Sequence, residues 1–286
     1  MSTTLPSIFV SHGSPMIALE PGEAGAFMQR LGPAIDATFG RPKAIISVSA
    51  HTGARVPVVF AAARHEAVYD FGGFDPKLFT LRYDAPGDPA LAARALALVR
   101  GAGIDARSSP EGGLDHGAWT ALRYLYPAAD IPIVPLAFVP SAALAAQFAL
   151  GAALAPLAEE GVLVLGSGSI THNLRRVFSG GGLHPDKAQP EIPESAAFRR
   201  WFAERAAARD WDALFAYRSQ APHAADMHPT DEHLLPWYVA AGAGGRSDAP
   251  LRLHDSVTMG SLGMDAYAFG PNAATLAEGL GSLSPA

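Results

Sequence analysis

The sequence contains no cysteine, and only 17% of its 286 residues are charged. Without thiols there can be no disulfide framework, thiolate zinc site, iron–sulfur cluster or cysteine nucleophile. Any metal must be held by His, Asp or Glu. Basic residues are sparse too: 21 Lys and Arg stand against 27 Asp and Glu, a net charge of −6. No basic stripe is available to neutralise phosphates, so no nucleic-acid partner is expected. Long apolar runs are also missing. The most apolar stretch, Ala142 to Leu157, holds Gln147 and is cut by Pro156, which leaves it too short to span a bilayer. The opening Met-Ser-Thr-Thr-Leu-Pro-Ser has neither the basic nor the apolar region of a secretory signal. A soluble, cytoplasmic protein with no membrane partner is the expectation.

What is present suits a packed domain. The hydrophobic fraction is 49%, and a chain of this length buries roughly three-quarters of its unfolded surface. The 29 glycines and 24 prolines are dispersed without a period, which excludes collagen-like and disordered chains. Short, continuous, β-branched runs predict strands covered on both faces: Ile8–Val10, Ala44–Val48, Val56–Phe60, Ile133–Leu136 and Val162–Leu165. Helices are predicted between them at Pro89–Arg100, from a Ser141 cap to about Glu160, and at Glu194–Arg209. The tail returns to a β pattern at Leu251–Met259, and the Gly-rich piece Ser179–Gly182 reads as a loop. The alternation predicts one α/β domain over residues 1–286, with a mostly parallel central sheet flanked by helices.

The chemistry shows in the ten histidines. His12 follows the first predicted strand, His51 the second, and His172 lies just past Val162–Leu165. In a parallel sheet the strand carboxyl ends share one side, and ligands bind in the crevice outside them. Three residues far apart in sequence are thus predicted to converge at one site. A second cluster, Met227-His228-Pro229-Thr230-Asp231-Glu232-His233, reads as a loop and helix start, with Thr230 as cap and Asp231 and Glu232 suited to a positive helix N-terminus. His116 opens another helix behind Asp115. His65, His184, His223 and His254 lack such settings and read as surface or structural.

A cysteine-free set of histidines suits Zn(II), Fe(II) or Mn(II). Histidines beyond the ligands can serve as acid or base. Gly166-Ser167-Gly168-Ser169 is neither a P-loop nor a complete dinucleotide fingerprint, because Thr171 occupies the last place. A serine hydrolase using Ser167 or Ser169 with His172 would lack the Gly-x-Ser-x-Gly elbow.

Five motifs occur in order: Ser11-His12-Gly13-Ser14-Pro15, Ser49-Ala50-His51, Leu114-Asp115-His116-Gly117-Ala118-Trp119, Gly166 to Leu174, and His228 to Pro236. Together they resemble the class III extradiol ring-cleavage dioxygenases, in the 4,5-DOPA dioxygenase-like branch of the protocatechuate 4,5-dioxygenase catalytic-subunit superfamily. The resemblance implies a single α/β domain with a non-haem metal at the strand ends. It implies His12, His51 and His228 as metal ligands, His172 as the acid–base residue or a fourth ligand, and His116 and His233 lining the pocket as catalytic groups. The cofactor it implies is Fe(II), with Zn(II) as an alternative, and the partners are a catechol-type aromatic diol and O₂, giving a ring-opened semialdehyde. A zinc-dependent hydrolase on the same histidines, or a metal-binding protein without turnover, stays open.

Overall fold

The computed structural model describes residues 4–179 and 189–282; His184 and the end of the predicted Gly-rich loop lie outside them. Eight strands form the main sheet: β1 Ser7–Ser11, β2 Ala44–Ser49, β3 Val58–Phe60, β4 Arg107–Ser109, β5 Ile133–Ala137, β6 Val162–Gly168, β7 Leu251–His254 and β8 Ala266–Phe269. Their order is β4-β3-β5-β2-β6-β1-β8-β7. The four central strands β5, β2, β6 and β1 are all parallel. The flanks differ: β3 runs antiparallel to β5, and β8 antiparallel to β1.

The unbroken apolar runs are explained by layers on both faces of this sheet. Ile45 of β2 and Leu163 and Leu165 of β6 enter one core with Phe27 and Leu31 of α1 (Gly22–Phe39) and Leu122 of α2 (His116–Leu125). Their sequence neighbours Ile46, Val48, Val162 and Val164 enter a second core, with Leu150 of the helix Leu144–Leu154 and Val239 of the helix Leu235–Gly244. Successive side chains of a strand point to opposite faces, so a strand buried on both has no polar positions to alternate. A third, aromatic core gathers Phe198, Phe202, Trp211, Trp237 and Tyr267.

Several predicted boundaries move. The helix expected from Ser141 starts at Leu144 without a side-chain cap and gives way to a 3-10 turn at Ala155–Ala158, where Pro156 cannot donate to an α-helical bond. Leu251–Met259 splits, and Val257–Thr258 forms its own ribbon with Leu262–Gly263. Thr230 caps nothing. Leu234 N donates to Asp231 O at 2.9 Å, and the helix begins only at Leu235, with Pro236 in its first turn where a missing N–H costs little. Among the described residues, no helix is long and apolar enough to cross a membrane.

The segment before that helix is pressed onto the end of β6. Ser169 N donates to His233 O at 2.9 Å, and a Cβ on Gly168 would lie 2.0 Å from the same oxygen. Only glycine fits there. Gly168→Ala is expected to cost about 1–3 kcal/mol or more, the usual range for overpacking a filled interior. Urea unfolding checks it, and an unchanged midpoint would contradict this packing.

Candidate metal centre

Each of the parallel strands β1, β2 and β6 delivers polar groups at its carboxyl end. His12 directly follows β1 and is fully buried, with its backbone N donating to Gly168 O at 2.9 Å. His51 follows β2 on a short turn tied by Asp115, which accepts from Ser49 Oγ at 2.5 Å and from Thr52 Oγ1. The same carboxylate caps α2 through Ala118 N at 3.1 Å. One aspartate thus fixes both the loop carrying His51 and the helix start carrying His116. A Cβ on Gly117 would lie 2.5 Å from Ser49 Oγ and 2.8 Å from His12 Cε1, so glycine lets α2 approach this closely.

Five histidines converge. His12 Nε2 and His51 Nε2 are 3.1 Å apart. The His116 ring lies 4.0 Å from that of His51, and the His233 ring lies 5.5 and 4.9 Å from those of His12 and His51. His172 stacks on His233 at 3.4 Å with the planes 10° apart. His12, His51 and His116 place ligand atoms within 4.8 Å of one another, as do His172, Glu232 and His233.

The outer hydrogen bonds decide which nitrogens are free. Ser167 Oγ donates to Gly117 O at 2.6 Å, so it accepts from His12 Nδ1 at 3.0 Å and leaves His12 Nε2 as a bare acceptor. Glu232 accepts from His233 Nδ1 at 3.1 Å, and the remaining His233 Nε2 is buried with no hydrogen-bond partner. Asp70 accepts from His116 Nδ1 at 2.9 Å. A ligating histidine ordinarily hands its second N–H to just such a carboxylate or oxygen.

Burial, helped by neighbouring histidines, keeps the rings of His12, His51, His172 and His233 neutral. Burial, then the neighbouring His51 and His233, hold His12 well below the usual imidazole range. Burial and then His172 do the same for His233. His172 falls to about 3, from burial and then His228, against the pull of Glu232. His51 is lowered by burial and His116, with Asp115 and Asp70 opposing. Burial pushes Asp70 up, but the His116 hydrogen bonds outweigh it and hold the carboxyl below its ordinary range. Neutral imidazoles are the form that binds a metal. Two nitrogens bound side by side to one cation at 2.0–2.1 Å sit about 3 Å apart, which matches the His12–His51 spacing.

Residues 6–270 match the family model described as the catalytic LigB subunit of aromatic ring-opening dioxygenase. The chain belongs to this family. It is therefore an extradiol ring-opening dioxygenase, of a family that uses a non-haem metal bound by histidines, and it carries a histidine group able to hold one. It is 35% identical over 265 residues to a 4,5-DOPA dioxygenase extradiol from Beta vulgaris, covering 92% of this chain and 96% of that one. A protein of the same description from Escherichia coli K12 is 35% identical over 266 residues, covering 92% and 94%. The crystal structure of an uncharacterized protein from Escherichia coli K12 superposes with a TM-score of 0.71 at 31% identity, covering 93% of this chain and 100% of that one.

Within this LigB-family site, His12, His51, His116, His172 and His233 come together, and His228 does not. His228 is fully buried in the aromatic core, 5.4 Å from Phe198 between ring centres, and donates from Nε2 to Ile170 O at 2.7 Å. It belongs to neither metal-competent group. The expectation of His228 as third ligand came from the motif resemblance and from its place before a helix cap at Thr230. The turn at Asp231 instead sets His233, not His228, against the end of β6. The carboxylates expected at the helix N-terminus are also used otherwise: Asp231 accepts from Tyr217 Oη at 2.5 Å, and Glu232 serves His233. Neither Ser167 nor Ser169 has a base to take its proton: Ser167 Oγ donates to Gly117 O while accepting from His12, and Ser169 Oγ donates to Thr171 O at 2.8 Å.

Two contributors escape the sequence patterns. Asp70 lies in Val68-Tyr69-Asp70-Phe71, a segment with no periodic signal, yet it reaches His116 and lies 3.9 Å from His51 Nδ1. Phe71 sets its ring 5.5 Å from His116, edge to face. A cavity of about 440 Å³ borders His12 and is lined further by Ser14, Met16, Ile17, Thr258 and Met264.

Proposed function

We propose that the enzyme opens the ring of a small free catechol of the DOPA or caffeate type beside its two hydroxyls, with Fe(II) held by His12, His51 and His233. The observation that carries this reading is the buried, unpartnered Nε2 of His233 beside the paired Nε2 atoms of His12 and His51. A polar atom buried without a partner costs about 1–3 kcal/mol, so it is expected to have a ligand. When bound, the iron would supply a Lewis-acidic, redox-active centre at which the diol and O₂ meet.

The chain's own groups do the rest. His172, stacked on His233 and neutral, accepts a catechol hydroxyl proton and returns one later. His116 presents Nε2 to the second hydroxyl, because its Nδ1–H is donated to Asp70. Phe71 offers an aromatic edge to the ring, and the cavity beside His12 gives a substituent room. Burial of His12 and His233 keeps water from the reacting groups. The 4,5-DOPA dioxygenases among the relatives support the choice of substrate class.

Oxygen uptake tests this. With Fe(II) and air, a panel of catechols including DOPA and caffeate is expected to consume one O₂ per catechol and yield a visibly absorbing semialdehyde. Absence of metal-dependent uptake with Fe(II), Mn(II) or Zn(II), together with cleavage of an ester or amide, would overturn the reading in favour of a zinc hydrolase.

A further inference from the structure

Asp70 enters the site from outside every motif that carries the chemistry. Its segment is zipped to the start of α2: Val68 N donates to Leu114 O at 2.7 Å, Leu114 N to Glu66 O at 2.9 Å, and Trp119 Nε1 to Val68 O at 3.1 Å. The carboxylate therefore arrives on a backbone with little freedom. Its Oδ1 accepts twice from one residue, from His116 N and from His116 Nδ1, both at 2.9 Å. Its Oδ2 lies 3.9 Å from Nδ1 of His51. The Asp70 side chain is 27% exposed and that of His116 only 7%, so the bonds are made to a buried partner.

A carboxylate only accepts, so the proton on His116 must sit on Nδ1, and Nε2 is the atom left for the site. The same negative charge lies beside the outer nitrogen of His51 and favours a proton there, which leaves His51 Nε2 as the donor to a cation. We propose that Asp70 is a positioning residue that fixes the tautomer and ring orientation of His116 and strengthens His51 as a metal ligand. The second half rests on the metal reading above. The first half does not. Asp70 touches neither metal nor substrate and acts through the two imidazoles.

The two halves are read separately in Asp70→Ala and the near-isosteric Asp70→Asn. In long-range ¹H–¹⁵N spectra of the metal-free protein, His116 is expected as the Nδ1–H tautomer, moving to Nε2–H in Asp70→Ala. A merely structural role would lower the thermal midpoint and leave that tautomer unchanged. Zn(II) affinity, measured by competition with a chelator, is expected to fall about 10- to 100-fold in both variants, the usual effect of losing such a partner. An unchanged tautomer in Asp70→Ala, or an affinity within about threefold of wild type in both variants, would overturn the proposal. If Asp70→Ala does not fold, the affinity of Asp70→Asn decides it. If the wild-type protein itself binds no Zn(II), the metal reading fails, and the His116 tautomer alone decides the role of Asp70.

Discussion

Replacing His12, His51 or His233 with alanine is expected to remove the metal and all ring-opening activity, while His228→Ala keeps both. Each of the first three loses a nitrogen from a set of three, and a cation left with two imidazoles has lost a third of its protein ligands. The fold is expected to survive, because His12 and His51 stand just past strand ends, His233 lies in the turn packed against one, and all three are outside the main apolar clusters. His228 shows the opposite balance. Its ring fills space beside Phe198 and satisfies Ile170 O, so alanine there leaves a cavity and a buried carbonyl without a partner. A stability loss of about 2–5 kcal/mol with metal content intact is the expected result, in the range of large-to-small core changes. Metal analysis and urea unfolding on the four variants separate the cases. Full occupancy in His12→Ala, or loss of metal in a folded His228→Ala, would contradict the ligand set.

The second large effect is expected at His172. Its ring lies flat against His233 at 3.4 Å, and its backbone is pinned by His172 N donating to Met227 O at 2.8 Å. It thus sits beside the proposed metal without belonging to the set of three. His172→Ala is expected to cut kcat about 10²- to 10⁴-fold, the span of a lost general acid–base group, with metal content retained. Steady-state kinetics paired with metal analysis check it. Metal lost in parallel with activity would make His172 a fourth ligand.

Much of this site was legible in the sequence, for a physical reason. Ile8–Val10, Ala44–Val48 and Val162–Leu165 read as doubly buried strands, and parallel neighbours put their carboxyl ends on one side. His12 and His51 follow from that alone, and the structure adds that their strands flank β6. The flanks were less legible: β3 looks like its neighbours, yet it pairs antiparallel to β5, because strand direction depends on the connection and leaves no mark in composition. His228 and His233 share one motif, and local capping rules favoured a helix start at Thr230. The carbonyl chosen by Ser169 N decides between them, and that is a tertiary contact. Asp70 was invisible for the same reason: its role depends on the bonding of Glu66 and Val68 to Leu114, and the partner of its carboxylate, His116, lies 46 residues further along the chain. Ser167 read as a weak nucleophile or phosphate ligand because a small polar residue at a strand end suits both; its bond to His12 Nδ1 assigns it to the metal site.

The most direct test of the account is anomalous diffraction at the iron edge from crystals grown anaerobically with Fe(II). The account predicts one peak per chain within bonding distance of Nε2 of His12, His51 and His233, with His228 still on Ile170 O. A peak coordinated by His228, or a site lacking either His12 or His51, would contradict it.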